Sequence, residues 1–318
     1  MLLTSCHTVR LLPEIPDAAY AKGVSAPFCG VLDGCLVVAG GANFPDKPLL
    51  EGGAKRVYDD IWMLCGEEWR RIAHLPDSAA YGACYQLQDG LLFAGGTGLD
   101  KVYLLDSQGL HALPALPCPL EQGAAAYGDG VLYLCAGRSV YTCREGEWAW
   151  SELAQLPMPL VQPLAYVSGG WLYLWGGFNP ETLELPSKGW KMRLDAPGRW
   201  TDGPVIPDGG TFVGSAAAVL PGGCLAVAGG VNREVFARAL HNGPEDRIPY
   251  LSREPEEYRF NRKLYIFNPF EETWTVLLED SSLALAGPGL ACDGRRLYVA
   301  GGEIKPGVRS PRIFSIDL

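Results

Sequence analysis

The sequence predicts an all-β fold, a six-bladed β-propeller whose ring is closed by the two ends of the chain. The first observation is a recurring apolar run that ends in a glycine pair, found at 36–41, 91–96, 172–177, 225–230 and 297–302, with a degenerate copy at 132–137. The second is a constant order of other marks, with small-residue strands before each pair and aromatic strands after most of them. The third is a content of 40 glycines and 25 prolines spread along the chain, which indicates many strands and turns.

Each repeat is interpreted as four short antiparallel strands. The first is rich in small residues, as at 83–90, the second ends at the glycine pair, and the third alternates as in KLYIFN at 263–268. The fourth strand is marked by a tryptophan, at Trp69, Trp148, Trp200 or Trp274. One such sheet cannot bury both faces, but six around an axis bury them against each other. The alternative, a β-sandwich with glycine-rich turns, does not explain the regular order of the marks.

The last repeat explains how the ring closes. Its first three strands are expected near 285–292, at 297–302 and at 311–317, and no fourth follows. The segment TVRLLPEIPD at 8–17 is similar to the fourth strands of the other repeats. We therefore expect 8–17 to pair with 311–317, which leaves no open sheet edge at the seam. Residues 1–318 are then expected to form a single propeller domain.

Charge and hydropathy exclude several partner classes. The formal charge is −10 and no Lys/Arg-rich run occurs, which argues against nucleic acid and against an anionic membrane surface. No apolar stretch approaches the roughly 18 residues that a membrane-spanning helix requires. The four histidines, His7, His74, His111 and His241, are not spaced as ligands, so no metal site is expected and a copper oxidase built on such a ring is disfavoured.

The cysteines bear on the compartment. Ten are present without a CxxC pair, and those in or beside apolar strands are Cys35, Cys84, Cys135, Cys224 and Cys292. We expect them to be buried free thiols, which favours a cytoplasmic location. The alternative is an exported, periplasmic lipoprotein, because LTSC at 3–6 is similar to the end of a bacterial lipoprotein signal. Cys6 would then be the lipidated residue if the true start lies upstream of Met1.

The candidate site lies where the segments after the glycine pairs emerge, because these segments share one face of the disc and converge on its axis. Glu303 follows its glycine pair directly, and Arg309 comes after a Pro306-Gly307 turn that folds the segment back. A carboxylate beside a guanidinium suits a substrate that has its own carboxylate. Arg309 can bind that group with two hydrogen bonds, which leaves Glu303 free for proton transfer.

The repeat resembles the Kelch motif, and three segments are similar to the N-acetylneuraminate epimerase (sialic acid mutarotase) family. These segments are GGVNREVF at 229–236 with the later YRFNRKLYIFNP, GGEIKPGVR at 301–309, and GGANF at 40–44 with EGG at 51–53. Members of the better-known type have the GGEIKPGVR-like segment in mid-chain, so this chain resembles a cyclically permuted branch. The resemblance implies that Glu303 is the proton acceptor and that Arg309 helps to bind the substrate. Further substrate-binding candidates in or beside these segments are Asn43, Glu51, Asn232, Arg233 and Lys305.

The activity implied by this resemblance is an isomerase that interconverts the α and β anomers of sialic acid. A carboxylate takes a proton from the C2 hydroxyl and returns it after the ring has opened and reclosed, while a second group or water serves the ring oxygen. No metal or redox cofactor is required. The expected partner is a small anionic sugar, and the sequence is compatible with a homodimer. Two alternatives remain: an acid–base enzyme acting on anhydro or unsaturated sialic acid derivatives, and a non-catalytic Kelch ligand-binding module.

Overall fold

The computed structural model describes residues 7–318, so Cys6, the lipidation site of the exported alternative, lies outside the described residues. Six four-stranded antiparallel sheets, here called blades 1 to 6, form the propeller that the sequence predicts. The strands of blade 1 are Phe28–Leu32, Cys35–Ala39, Asp60–Cys65 and Glu68–His74. Those of blade 2 are Ala83–Gln86, Gly90–Ala94, Val102–Asp106 and Gly109–Leu113. Those of blade 3 are Ala124–Gly128, Val131–Ala136, Ser139–Arg144 and Trp150–Gln155.

The second half of the ring repeats the same order of strands. The strands of blade 4 are Val161–Ser168, Trp171–Phe178, Lys188–Arg193 and Trp200–Val205. Those of blade 5 are Ser215–Val219, Leu225–Gly229, Lys263–Asn268 and Thr273–Glu279. Those of blade 6 are Gly289–Cys292, Arg296–Ala300, Ile313–Asp317 and Val9–Leu12.

Blade 6 confirms the predicted closure of the ring. Its outer strand comes from the start of the chain and pairs antiparallel with Ile313–Asp317, with Val9 opposite Ile316 and Leu12 opposite Ile313. The observed strand is shorter than the predicted 8–17. Pro13 and Pro16 lack the N–H that a ladder requires, which accounts for its end at Leu12.

The core lies between neighbouring blades. Phe28 of blade 1 stacks on Phe93 of blade 2 with ring centroids 5.0 Å apart, and Trp175 of blade 4 lies 4.8 Å from Phe267 of blade 5. All four side chains are buried. Each sheet therefore buries both faces against its neighbours, which is the physical reason for the repeat.

Most of the tryptophan marks hold, but the one at Trp148 is wrong. Trp148 lies in the turn before the fourth strand of blade 3, and Trp150 begins that strand. The indole N–H of Trp150 donates to the Pro114 carbonyl, just after the outer strand of blade 2. Trp69 and Trp200 bond in the same way to Pro13 and Gln155 of the preceding blades. The position that ties one blade to the previous one is therefore occupied by Trp150.

The expectation of free thiols is wrong for Cys35, which forms a disulfide with Cys65. The two residues lie opposite each other on neighbouring strands of blade 1, next to the pair Leu36 and Leu64, and their Cα atoms are 4.8 Å apart. The cysteines that are free within residues 7–318 are Cys29, Cys84, Cys118, Cys135, Cys143, Cys224 and Cys292. Within the described residues, no helix is long and apolar enough to cross a membrane.

Three glycine pairs lead into extensions on the face that carries the site. After Gly301 and Gly302, both with positive φ, the hairpin Glu303–Lys305 and Val308–Arg309 forms. A Cβ on Gly301 would lie 2.2 Å from the Val24 carbonyl oxygen, so only glycine fits there. The blade 1 counterpart is the hairpin Ala42–Asn43 and Arg56–Val57. The blade 5 extension, 231–262, contains both α-helices, Arg233–Leu240 and Arg247–Leu251.

Short 3-10 helices lie in the connections. They span Ala18–Tyr20, Leu49–Glu51, Pro207–Gly209, Pro244–Asp246, Pro255–Tyr258 and Ser281–Leu283.

Candidate active site

A pocket of about 560 Å³ opens on the axis of the ring, and we call it the axial pocket. One residue at or near the start of the first strand of each blade lines it, and each has a φ between +51° and +70°. These six half-buried residues, here called the collar, are Ala26, Tyr81, Gln122, Gln162, Gly214 and Gly287. Backbone N–H groups of the collar donate to the carbonyl of the preceding blade at five of the six junctions, over 2.6–3.1 Å. These backbone hydrogen bonds join the collar residues of neighbouring blades and so fix the positions of their Cα atoms around the axis.

The small residues of the first strands leave the axis open below the collar. One residue per blade lines both the axial pocket and a second cavity of about 490 Å³ on the opposite side. These six residues are Cys29, Cys84, Ala125, Ala165, Ala217 and Leu290. The small-residue pattern of the sequence therefore creates space on the axis rather than tight packing.

Glu303 lines the axial pocket and forms a close ion pair with Arg309. Arg309 Nη2 lies 2.8 Å from Glu303 Oε1, and the Nε donates to the Ala42 carbonyl of blade 1 at 3.2 Å. The guanidinium carbon lies 4.7 Å from the centroid of the Phe44 ring. The Glu303 side chain is 22% exposed, whereas that of Arg309 is only 3% exposed. The glutamate thus faces the pocket, and the buried arginine forms an ion pair with it on the side away from the pocket.

The surroundings of Glu303 raise its pKa. Desolvation is the largest cause, and it is opposed by the charge of Arg309, a hydrogen bond from the Gly307 backbone N–H and the charge of Lys55. A carboxyl group with a raised pKa is a stronger base once ionised and a usable acid near neutral pH. These properties suit a group that both accepts and returns a proton.

Three of the other predicted substrate-binding residues, Lys305, Asn43 and Glu51, differ in their contacts and in their burial. Lys305 lies on the same hairpin as Glu303, and its Nζ donates to the Arg253 carbonyl at 2.9 Å. Asn43 is fully buried, and its amide is used by Ala19, Gly23 and Tyr58, so it supports the fold. Glu51 is exposed in the 3-10 helix Leu49–Glu51 and is not part of the pocket lining.

Asn232 and Arg233 line a neighbouring cleft of about 600 Å³ rather than the axial pocket. Asn232 caps the first helix of the blade 5 extension by accepting from two backbone N–H groups. The guanidinium of Arg233 donates to the Leu185 carbonyl of blade 4. The sequence placed these residues correctly after a glycine pair, but the helix that begins there directs them away from the axis.

Several pocket residues were missed by the sequence analysis. The blade 5 extension covers one side of the pocket with apolar side chains from Phe236, Leu240, Tyr250 and Phe260. Lys55 is not part of the pocket lining but lies beside it: its side chain is exposed, its Nζ lies 4.8 Å from the centroid of the Tyr81 ring, and its charge acts on Glu303. The collar residues could have been found near the start of the small-residue strand in each repeat, a position that the glycine pairs do not mark.

One group of possible metal ligands occurs in the described part of the chain. Ligand atoms of Asp59, Asp60 and His74 all lie within 4.8 Å of one another. Arg71 donates to Asp60 at 3.2 Å, so a fixed cation already compensates this carboxylate. None of the three lines the axial pocket, so the group has no part in the site around Glu303.

Comparisons with known proteins point to one family. A family model described as N-acetylneuraminate epimerase matches residues 113–318. N-acetylneuraminate epimerase 1 of Escherichia coli O6:H1 is 33% identical over 96 residues, which are 27% of this chain and 26% of that protein. N-acetylneuraminate epimerase of Vibrio vulnificus is 32% identical over 108 residues, which are 30% and 28% of the two chains. The alignments thus span between a quarter and a third of the length of these curated relatives.

A solved structure has the same fold. The structure titled "Structure of YjhT" superposes with a TM-score of 0.65, covering 96% of this chain and 95% of that chain, at 12% identity.

Proposed function

Since the chain belongs to the N-acetylneuraminate epimerase family, we propose that it interconverts the α and β anomers of N-acetylneuraminic acid by ring opening and reclosure. The observation that carries this proposal is Glu303, a carboxyl group with a raised pKa on the wall of a pocket of about 560 Å³. It is paired with a buried guanidinium that fixes its position. A pocket of this size accommodates a monosaccharide.

The mechanism starts from the sugar as a cyclic hemiketal. Ionised Glu303 accepts the proton of the C2 hydroxyl while the bond between C2 and the ring oxygen breaks, and the ring oxygen gains a proton from water or a second group. The open ketone turns, and the hydroxyl formed from the ring oxygen attacks its other face. This hydroxyl returns its proton to the water or second group, while Glu303 returns its proton to the ketone oxygen, which becomes the new C2 hydroxyl. Positioned acid–base groups typically accelerate such steps ~10²–10⁴-fold.

The substrate-binding role expected for Arg309 is reassigned in this proposal. Arg309 uses Nη2 for Glu303 and Nε for Ala42, and its side chain is almost wholly buried. We propose that it orients Glu303 and favours the ionised form. Lys55, exposed beside Tyr81 and close enough to act on Glu303, is the candidate anchor for the carboxylate of the sugar.

The test is relaxation of enzymatically released α-sialic acid, followed by proton NMR at a pH where the spontaneous reaction is slow. We expect the protein to shorten the approach to the equilibrium mixture at substoichiometric concentration. A ligand-binding module would bind the sugar without changing this rate. Unchanged relaxation in the presence of folded protein would refute the isomerase proposal.

We also propose that the chain is cyclically permuted relative to the better-known branch. The local alignment with N-acetylneuraminate epimerase 1 is 33% identical, whereas the separate superposition of the whole ring on the structure titled "Structure of YjhT" is 12% identical. A ring of six similar blades superposes after rotation by whole blades, and such a superposition pairs different blades. Superposition after reordering the blades should therefore raise the identity, and an unchanged value would count against the permutation.

We also propose that the protein is located in an oxidising compartment. The Cys35–Cys65 disulfide supports an oxidising compartment, as in the exported alternative, whereas the remaining free cysteines are compatible with either. Peptide mapping after alkylation without reduction tests this, because recovery of Cys35 and Cys65 as free thiols from native cells would favour the cytoplasm.

A further inference from the structure

The collar is not symmetric around the axis. On the side of blade 6, which carries Glu303, its members are Gly214, Gly287 and Ala26. On the opposite side, blades 2 to 4 contribute Tyr81, Gln122 and Gln162. In a ring of six, blade 3 lies directly across from blade 6, so Gln122 faces the Glu303 side of the pocket. The collar therefore has open space next to the proton-transfer group and polar side chains across from it.

Gln122 and Gln162 are joined twice. The backbone N–H of Gln162 donates to the Gln122 carbonyl at 2.7 Å, and its side-chain Nε2 donates to Gln122 Oε1 at 2.5 Å. Within residues 7–318, this is the one hydrogen bond that either side-chain amide makes. A Cβ on Gly214 would lie 3.7 Å from Gln162 Oε1, so this oxygen lies beside a position without a side chain.

The bond between the two amides leaves a defined pair of free groups. The NH₂ of Gln122 is a free donor and the Oε1 of Gln162 is a free acceptor. If both amides were turned over, the free donor and the free acceptor would exchange places, and the pair would still offer one of each. A neighbouring donor and acceptor match the C=O and N–H of a secondary amide.

We propose that Gln122 and Gln162 recognise the acylated amino group of the sugar acid and make the axial pocket selective for N-acyl sugar acids. This inference rests on the isomerase function proposed above. The amide C=O accepts from Gln122 and the amide N–H donates to Gln162, while the anomeric centre lies at Glu303 across the pocket. Both glutamines are specificity residues, because they lie on the opposite side of the ring from Glu303.

The experiment compares two substrates: N-acetylneuraminic acid and the analogue with a hydroxyl group in place of the acetamido group. Anomer interconversion of each is measured by NMR, and kcat/KM is compared for the parent, Gln122→Met and Gln162→Met. Methionine is close to glutamine in size but cannot form the hydrogen bonds of a side-chain amide. Gln108→Met, in an exposed turn of blade 2, is the matched control. Thermal unfolding verifies that each variant is folded.

We expect the parent to favour the N-acetyl sugar and each pocket variant to lose this preference. The loss should be about tenfold in kcat/KM for the N-acetyl sugar, which corresponds to ~1.4 kcal/mol and is within what one hydrogen bond contributes. The hydroxyl analogue should change less than about threefold, and Gln108→Met should behave as the parent does.

The outcomes separate this inference from the function on which it rests. If the parent accelerates neither sugar, the isomerase proposal fails and this one fails with it. If the parent accelerates both sugars equally, or if both pocket variants lower the two rates in parallel, the isomerase stands and the amide assignment is wrong. Equal acceleration of the two sugars by the parent overturns the amide assignment even if a variant does not fold.

Discussion

Blades 5 and 6 each extend past a glycine pair, but their extensions differ in where they place charge. In blade 5, Arg259 lies 2.8 Å from Glu234, with the two side chains 53% and 68% exposed. In blade 6, Arg309 lies at the same 2.8 Å from Glu303, with exposures of 3% and 22%. Exposed pairs of this kind contribute ~0–1 kcal/mol to stability. Burial, rather than the contact distance, therefore distinguishes the ion pair at the site from the one on the surface.

The two extensions also have different roles at the site. The blade 5 extension is the longer, and it covers the pocket with Phe236, Leu240, Tyr250 and Phe260. Phe236 is itself held by an edge contact with Phe178 of blade 4, with centroids 5.6 Å apart. The blade 6 hairpin is short and supplies the proton-transfer group. The long, charged extension therefore covers the pocket, whereas the short hairpin carries the acid–base residue.

The largest effect expected from this contrast is on catalysis. Glu303→Gln retains the size of the side chain but removes the basic oxygen, so anomer interconversion should slow by about 10²-fold or more while the sugar acid still binds. Glu234→Gln makes the same chemical change in the exposed pair of blade 5 and should leave the rate unaltered. NMR relaxation of the α anomer measures the rates, and saturation-transfer NMR measures binding.

Two results would break this comparison. Equal rates for the parent and Glu303→Gln would mean that another group transfers the proton. A comparable loss in Glu234→Gln would mean that burial is not what distinguishes the two acids.

Sequence reasoning reached the parts of the molecule that depend on local pattern. The glycine pairs and alternating strands predict six blades, and the missing fourth strand predicts the pairing of Val9–Leu12 with Ile313–Asp317. The position of Glu303 directly after its glycine pair predicts a place near the axis. Each of these inferences needs only strand period, turn chemistry and the count of strands.

What the sequence did not reveal depends on contacts between distant segments. Arg309 is buried because Ala42 and Phe44 come from another blade, which no local pattern shows. The Cys35–Cys65 disulfide requires the register between two strands separated by a long loop. The burial of Asn43 could not be predicted for the same reason, because its partners Ala19 and Gly23 lie before the first strand of blade 1.

A smaller effect is expected on stability. Arg309→Lys retains the charge but loses the planar group that contacts Glu303, the Ala42 carbonyl and the Phe44 ring together. We expect it to lower the free energy of unfolding by about 1–3 kcal/mol, the cost of leaving a buried hydrogen-bonding group unsatisfied. Arg259→Lys in blade 5 should stay within about 0.5 kcal/mol, as surface substitutions usually do. Urea unfolding measures both, and equal values would contradict the contrast between the pairs.

The smallest effect concerns the pH at which the site becomes active. Glu303 must be ionised to accept a proton, so the rate should rise with pH through its pKa. Lys55 lowers this pKa, because a nearby cation favours the ionised carboxylate. Lys55→Met should therefore raise the pKa of Glu303 and move the acidic limb of the pH–kcat profile to higher pH. The change in kcat on the plateau should stay below about fivefold, because an exposed charge contributes at most ~1 kcal/mol.

Salt and a matched control sharpen this last prediction. Lys55 is exposed, so salt should screen its charge and move the acidic limb of the parent in the same direction as Lys55→Met does. Arg309 is buried beside the carboxyl, so its larger effect on the pKa should persist in salt, and the limb of Lys55→Met should respond little to salt. Arg259→Met removes an exposed cation from the blade 5 extension and should leave the limb in place. A limb that does not move in Lys55→Met, or that moves to lower pH, would show that the charge of Lys55 does not reach Glu303.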